Sequence, residues 1–174
     1  MLANSIPNAE AASDCKIKKF IKVDNYFYRG AQPSDKDIKC LADMGIKTVI
    51  NLRLLNPIKD AKQKKIAAKF GIEYINMPLN PFISPSKEQL DHYFRVLDDP
   101  NRLPVFVHCW HGEDRTGVMS ALYRIKYYNW SFDDAFAEMK ADGYHSMLFP
   151  QPVRFLRNYA ASGDTHKSLV KYHK

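Results

Sequence analysis

The chain has 174 residues, the size of one ordinary domain with a single hydrophobic core. Hydrophobic residues make up 45% and charged residues 26%, a globular composition that excludes disordered and collagen-like classes. Basic residues outnumber acidic ones by 26 to 19, and the net charge of +7 favours an anionic partner such as nucleic acid, acidic lipid or a phosphorylated small molecule. The longest stretch without a charged residue, residues 74–86, is shorter than the about 20 apolar residues of a membrane span, so none is predicted.

Three cysteines are too few for a disulfide framework or a tetrahedral zinc site, and no metal or cofactor is predicted. We predict a flexible segment over residues 1–20, one domain over 21–162 and a polar tail over 163–174. As given, the N-terminus lacks the basic and apolar regions of a secretory signal, which predicts a cytoplasmic protein. The Ala9-Glu10-Ala11 triplet resembles a signal-peptidase site, and a periplasmic or secreted protein is the alternative if it is a cleavage remnant.

Short β-rich runs alternate with helical patterns along the domain. Residues 26–29 are predicted as a strand, followed by a turn and a helix capped by Ser34. A buried β-branched strand at 47–52 and a helix at 59–70 come next. Residues 72–77 form the third predicted strand, and three prolines make 78–85 a loop.

Ser86 and Gln89 form a predicted capping box for the next helix. The last strand covers 104–108, and the helices that follow it are predicted after the loop 109–115, after Ser131 and over 152–159. This alternation predicts an α/β fold with a largely parallel sheet covered by helices. Ligands of such sheets bind beyond the carboxyl ends of the strands. Cys109 follows one of those ends.

The sequence His108-Cys109-Trp-His-Gly-Glu-Asp-Arg115-Thr116-Gly carries the chemistry. Five residues between the cysteine and the arginine can curl so that their backbone N–H groups point inward, at a helix N-terminus. A phosphate bound there also meets the guanidinium of Arg115, and the same field stabilises a thiolate that can attack phosphorus. Gly112 allows close backbone approach, and Thr116 is predicted to hydrogen-bond the sulfur. A buried, inert cysteine is the alternative, but it leaves Arg115, Gly112 and Thr116 unexplained.

With these residues the chain resembles the cysteine-dependent phosphatases of the HCx5R(S/T) signature, and more narrowly their small bacterial dual-specificity-like branch. The phrases FYRGAQPS (27–34) and GIKTVINLR (45–53) extend the resemblance over about residues 25–160. It implies a sheet of four or five strands flanked by helices, with Cys109 as nucleophile and Arg115 as phosphate clamp. Members of this group include phosphotyrosine phosphatases and tyrosine-phosphatase-like inositol polyphosphatases (phytases). In the phytase-like members, an arginine placed like Arg53 is expected to contact substrate phosphates.

The general acid departs from the family pattern, because residues 72–90 contain no aspartate. Asp114 is the nearest acid, and its place in the loop is similar to that in myotubularin-type lipid phosphatases. A bound dianion beside this carboxyl would favour its protonated form, which suits a general acid. A purely structural role in tying the loop down is the alternative. Glu113, Glu88 and Asp91 are the other candidate acids.

The remaining site residues are predicted from their positions around Cys109. His108 supports the loop, and Arg29 is expected to hold the loops together rather than to contact substrate. The predicted substrate-binding residues are Trp110, His111, Gly112, Glu113, Arg53 and Lys59. The other lysines that follow Arg53 are expected to form a solvated helix face.

We therefore predict a metal-independent phosphomonoester hydrolase that acts through a cysteinyl-phosphate, with an inositol polyphosphate (phytate-like) substrate. A protein tyrosine or dual-specificity phosphatase acting on phosphoproteins is the alternative enzyme. A phosphate-binding pseudophosphatase is the non-enzymatic alternative, which the intact Cys109, Arg115 and Thr116 disfavour. Nucleic-acid binding is not expected, since the chain has no aromatic and basic platform.

Overall fold

The computed structural model of the chain describes residues 15–163. The Ala9-Glu10-Ala11 triplet and the tail from residue 164 onward lie outside the described residues. Five strands form one sheet in the order β1-β2-β5-β3-β4, in which only β1 is antiparallel to its neighbour. The strands are β1 (Ile21–Lys22), β2 (Phe27–Gly30), β3 (Thr48–Asn51), β4 (Glu73–Asn76) and β5 (Val105–His108). The predicted α/β fold with a largely parallel sheet is confirmed.

Six helices cover the sheet, and a 3₁₀ turn at Pro100–Arg102 precedes β5. The predicted capping box of Ser86 and Gln89 is present at α3, and the predicted cap Ser34 of α1 also forms a capping box, with Asp37. The second helix begins two residues earlier than predicted, because Asn56 caps it and Pro57 occupies its first turn. The helices are α1 (Asp35–Asp43), α2 (Pro57–Lys69), α3 (Lys87–Leu97), α4 (Asp114–Tyr128), α5 (Phe132–Ala141) and α6 (Pro150–Ala161). None of these helices is long and apolar enough to cross a lipid bilayer.

Alternate strand residues pack into two hydrophobic layers, one on each face of the sheet. Ile50, Val105 and Val107 join the layer beneath α3 to α6. Val49 and Phe106 join the layer beneath α1 and α2. Because both faces of β3 and β5 are fully buried, the interior residues of these two central strands are apolar, and polar residues occur only at strand ends, at Thr48, Asn51 and His108.

The four parallel strands end in one row. Gly30 of β2 pairs in register with His108 of β5, which pairs with Asn51 of β3, which pairs with Asn76 of β4. The residues that follow these four therefore emerge together at one edge, here called the carboxyl edge of the sheet. Cys109 and Arg53 both leave the sheet at this edge.

Residues 15–20 pack on the domain, so it extends at least six residues before the predicted boundary at 21. Ile17 is buried, and the backbone N–H of Ala31 donates to the carbonyl of Lys18 over 2.9 Å. Cys15 forms a disulfide with Cys40 of α1, with the two Cα atoms 5.6 Å apart. Counting cysteines gave no sign of this single bridge, because two residues 25 positions apart carry no sequence signal of their proximity.

Candidate active site

Cys109 lies where the sheet and α4 meet. It is a free thiol, almost fully buried, directly after the last residue of β5. The loop 109–115 leads into α4, which begins at Asp114. No side chain caps this helix, so its first N–H groups remain available to an anion. The predicted strand, loop and helix around Cys109 are confirmed.

Gly112 sits in a backbone position that no other residue fits. Its φ is +79°, and a Cβ at this position would lie 2.5 Å from the carbonyl carbon of Gly30 and 2.6 Å from the nitrogen of Ala31. Both contacts are with backbone atoms at the end of β2, which cannot rotate away as a side chain can. The close approach predicted for Gly112 is therefore present.

Arg29 holds the loop from below. Its guanidinium is 1% exposed and donates to the Gly112 carbonyl over 2.8 Å and to the Asp142 carboxylate over 2.7 Å. A charge buried to this extent requires such partners, and these two connect the 109–115 loop to the end of α5. The prediction that Arg29 holds the loops together is confirmed.

His108 and Thr116 are buried on either side of the loop. The Nδ1–H of His108 donates to the Cys109 carbonyl over 3.1 Å, and burial lowers the pKa of His108 to about 4, so the ring is neutral near pH 7. Thr116 Oγ1 is buried and has no hydrogen-bond partner among the described residues, so the predicted bond to Cys109 is not formed. This hydroxyl lies one helical residue beyond Arg115 and remains free to pair.

Arg53 lies beside the loop, as predicted. Its guanidinium carbon is 4.6 Å from the ring centre of Trp110, the residue after Cys109. The side-chain oxygen of Asn51 accepts from the Arg53 backbone N–H over 3.0 Å and fixes the turn after β3. Arg53 Nη1 is buried and unpaired among residues 15–163. This donor is oriented by packing but has no partner within the domain.

Asp114 is tied to a residue that the sequence did not single out. Its Oδ1 accepts from both the backbone N–H and the ring Nδ1 of His145, each over 3.0 Å. Asp114 and Arg115 together line a small cleft against the loop after β4, where Asn80 and Ile83 form the opposite wall. The hydrogen bonds expected if Asp114 has a structural role in the loop are thus present, while Asp114 Oδ2 remains available to the cleft.

Glu113 forms an ion pair with Lys19, which reaches the loop from the N-terminal segment. Donor atoms of Glu113, Asp114 and His145 lie within 4.8 Å of one another, the spacing of a possible metal site. Each of the three side chains already has a partner in the protein.

Three lysines that the sequence did not single out lie near the loop. Lys16, Lys18 and Lys19 line a broad groove with Trp110 and His111, which we call the basic groove. Lys59 is exposed in the first turn of α2, near Arg53 in sequence, and no ion pair of the described residues includes it. Nothing in the sequence connected residues 16–19 with the loop, because their approach depends on the path of the chain before β1.

A buried cysteine in an HCx5R loop, at the uncapped N-terminus of a helix in this fold, is the arrangement of the superfamily of protein-tyrosine-phosphatase-like, cysteine-dependent phosphatases. The model of the family described as "DSP-PTPase phosphatase fused to NAD+ kinase" matches residues 3–148, and the chain belongs to that family.

The chain is similar to the dual specificity protein phosphatase TpbA of Pseudomonas aeruginosa, with 27% identity over 117 residues, 67% of this chain and 51% of TpbA. The crystal structure of TpbA matches 83% of this chain and 91% of that one with a TM-score of 0.63 and 23% identity. Inositol diphosphatase DSP5 of Arabidopsis thaliana is 27% identical over 125 residues, 68% of this chain and 59% of DSP5. NAD kinase 2 of A. thaliana is 27% identical over 111 residues, 59% of this chain and 11% of that protein. The chain thus spans about half of TpbA and about a tenth of NAD kinase 2.

The substitution Gly112→Ala tests the close approach of the loop to β2. The positive φ alone costs ~1–2 kcal/mol for a residue with a Cβ, and the 2.5 Å contact forces the loop to shift as well. We expect a larger loss in the free energy of unfolding than that strain, together with loss of phosphatase activity. Urea unfolding and aryl phosphate turnover measure the two effects.

Gly45→Ala is the matched control. Gly45 has a similar φ of +83°, but a Cβ there would meet nothing within 4 Å. We expect it to lose only the conformational ~1–2 kcal/mol and to keep its activity. Equal destabilisation of the two variants with activity intact in both would show that the close approach is not required.

Proposed function

We propose that the chain is a metal-independent phosphomonoester hydrolase that acts through a cysteinyl-phosphate on Cys109. The observation that carries the proposal is a buried free thiol at the uncapped N-terminus of α4, in a loop that Arg29 and Gly112 hold in an anion-binding conformation. The helix N-terminus and the Arg115 guanidinium stabilise both the thiolate and the charge that develops on the transferred phosphoryl group.

The reaction takes two steps. First, the Cys109 thiolate attacks phosphorus, the S–P bond forms, and the P–O bond to the leaving group breaks as that oxygen takes a proton from Asp114. In the second step, water attacks the phosphorus and gives its proton to the Asp114 carboxylate. The S–P bond then breaks, which regenerates the thiolate and releases inorganic phosphate. Thr116 Oγ1, unpaired within the described residues, is the proposed donor to the departing sulfur.

The surroundings of the four candidate acids favour Asp114. Glu113 is held by Lys19. The hydrogen bond from Ser86 lowers the pKa of Glu88, and the hydrogen bond from Lys87 lowers the pKa of Asp91; both side chains are exposed, and neither lines the cleft that contains Arg115. Asp114 lines the same cleft as Arg115, and both contacts from His145 fall on Oδ1. His145 would thereby direct Oδ2 toward the leaving oxygen.

Cys109→Ser tests the nucleophile. We expect a loss of at least ~10⁴-fold in kcat, because the hydroxyl is a far weaker nucleophile, while binding of tungstate as a phosphate analogue persists. The wild-type enzyme should hydrolyse p-nitrophenyl phosphate equally well with and without EDTA, which also tests the Glu113, Asp114 and His145 cluster. Turnover by Cys109→Ser close to that of the wild type would refute the mechanism.

Asp114→Asn tests the acid. With an alkyl phosphate, whose alkoxide is a poor leaving group, we expect kcat to fall by ~10²–10⁴-fold. With p-nitrophenyl phosphate we expect a far smaller fall, because p-nitrophenolate leaves without protonation. Asp91→Asn is the control, because it removes an exposed carboxylate of α3 that is paired with Lys87, and it should leave both rates unchanged. An equal loss of activity on both substrates would instead assign Asp114 a structural role through His145.

For the substrate we propose an inositol polyphosphate, with a phosphoprotein as the competing class. One phosphate would occupy the 109–115 loop while others meet Arg53 and the basic groove, which offer positive charge on two sides of it. The name of the relative DSP5, an inositol diphosphatase, supports this substrate class. The name of the relative TpbA, a dual specificity protein phosphatase, supports the alternative.

Arg53→Ala separates these classes. The side chain is 8% exposed, so a phosphate contact there is partly desolvated, and we expect KM for inositol hexakisphosphate to rise ~10-fold or more. The KM for p-nitrophenyl phosphate should change less than ~3-fold, since that substrate has one phosphate. Lys64→Gln, a distant exposed lysine of α2, is the charge control and should change neither value. The measurement is phosphate release from each substrate across a salt series. A flat salt response with similar kcat/KM for a phosphotyrosine peptide would favour the phosphoprotein reading.

A further inference from the structure

Large apolar side chains are concentrated on the exposed loops of the carboxyl edge. Three come from the segment between β3 and the first turn of α2, two from the loop after β4 and two from the segment between α5 and α6. We call these seven side chains the apolar rim: Leu54, Leu55, Ile58, Phe82, Ile83, Met147 and Leu148. Ile58 is 85% exposed and Met147 is 95% exposed, so no residue from 15 to 163 covers them.

Contacts around Cys109 place the rim about the site. The rim begins immediately after Arg53, which stacks on Trp110. Ile83 lines the same cleft as Asp114 and Arg115. The ring of Phe82 lies 5.1 Å from that of Phe149, which links the loop after β4 to the segment that carries Met147. The rim thus follows the mouth of the site through three separate segments.

Besides the rim, the described residues have three exposed large hydrophobic side chains: Trp110, which contacts Arg53 at the site, and Phe70 and Tyr128. Phe70 precedes β4 and Tyr128 ends α4, so both lie away from the carboxyl edge. Singly exposed apolar residues are common on protein surfaces, but a cluster confined to one edge marks an interaction surface.

Unpaired positive charge lies beside the rim. Lys59 follows Ile58 directly, and Lys16 and Lys18 line the basic groove, which adjoins the rim through the contact of Trp110 with Arg53. None of the three takes part in an ion pair of residues 15–163, whereas the acidic groups of the loop, Glu113 and Asp114, are held by Lys19 and His145. The face around the site therefore presents apolar side chains among free cations.

We infer that this face docks on an anionic lipid bilayer, with the apolar rim inserted shallowly and the lysines at the headgroups. Apolar side chains beside free lysines are the composition of a membrane-surface element. A second copy of the chain would bring the same lysines together, which disfavours self-association through this face. Protein interfaces are depleted of lysine, and leucine is under-represented among the residues that dominate their binding energy, whereas five of the seven rim residues are leucine or isoleucine and the free cations beside them are lysines. Trp110, exposed beside the rim, suits either setting, since tryptophan is enriched at membrane interfaces as well as at protein interfaces.

Co-sedimentation with vesicles tests the inference independently of the proposed reaction, because the lipids used contain phosphodiesters only. The full chain is mixed with vesicles of phosphatidylcholine or of equal parts phosphatidylcholine and phosphatidylserine. We expect at least ~10-fold stronger partitioning to the anionic vesicles, weakened by salt. Ile58→Ser combined with Met147→Ser should lower that partitioning by ~10-fold or more, since both side chains would leave the bilayer.

Phe70→Ser is the matched control and should partition within ~2-fold of the wild type, because its side chain lies away from the rim. The rim variant should keep the thermal unfolding temperature of the wild type, since both altered residues are exposed. Lys16→Gln with Lys18→Gln should weaken binding to the anionic vesicles only.

Three results would overturn the inference: no partitioning of the wild type to anionic vesicles, equal partitioning to both compositions, or an equal loss in Phe70→Ser. A dimer in analytical ultracentrifugation that the rim variant dissociates would also overturn it and assign the face to self-association. A protein partner captured through the rim, with no vesicle binding, would assign the face to that partner instead.

Discussion

The backbone of Gly112 rests against the backbone of Gly30 and Ala31, and the geometry of the active site depends on this contact. The contact fixes the distance of the 109–115 loop from the end of β2, because the atoms that meet belong to the backbone and cannot rotate away as side-chain atoms can. Arg29, one residue before Gly30, then donates to the Gly112 carbonyl from beneath. The end of β2 therefore supplies both the surface on which the loop rests and the charge that holds it. A loop held in this way keeps its N–H groups oriented before any anion arrives, which is the basis of electrostatic preorganisation.

The register of the sheet extends this arrangement to Arg53. Asn51 stands in the same row as His108, and its side chain bonds Asn76 of β4 as well as the Arg53 backbone. The position of the guanidinium over Trp110 thus derives from three adjacent strands rather than from a mobile surface side chain. Asp60 of α2 also accepts from Asn51, which joins the helix that carries Lys59 to the same network. Two sides of the site are thereby built on rigid elements.

Local patterns predicted the strands, the helix caps and the loop, because each depends on residues close in sequence. The glycine at 112 and the capping boxes at Ser34 and Ser86 are of this kind. Contacts between segments distant in the chain could not be predicted in this way. The pairing of Asp114 with His145, the Cys15–Cys40 disulfide and the approach of residues 16–19 to the loop all depend on chain paths that carry no local pattern. The short β1 strand was missed for the same reason, since two residues contain no periodicity.

Buried polar atoms without a hydrogen-bond partner lower the stability of the folded domain, and most of them lie around the active-site loop. Five such side-chain atoms occur in residues 15–163, and four belong to Arg29, Arg53, His108 and Thr116, around the 109–115 loop. Only Thr48 lies at the opposite end of the sheet. Each unsatisfied group costs ~1–3 kcal/mol in the folded state, so their concentration at one place opposes folding and requires a compensating role. Arg53 Nη1 and Thr116 Oγ1 are donors, and in the proposed mechanism a substrate phosphate would pair with the first and the departing Cys109 sulfur with the second. Two of the four unpaired atoms around the loop therefore belong to residues that the proposed reaction would use, so a bound substrate would recover part of the cost that they impose on the free protein.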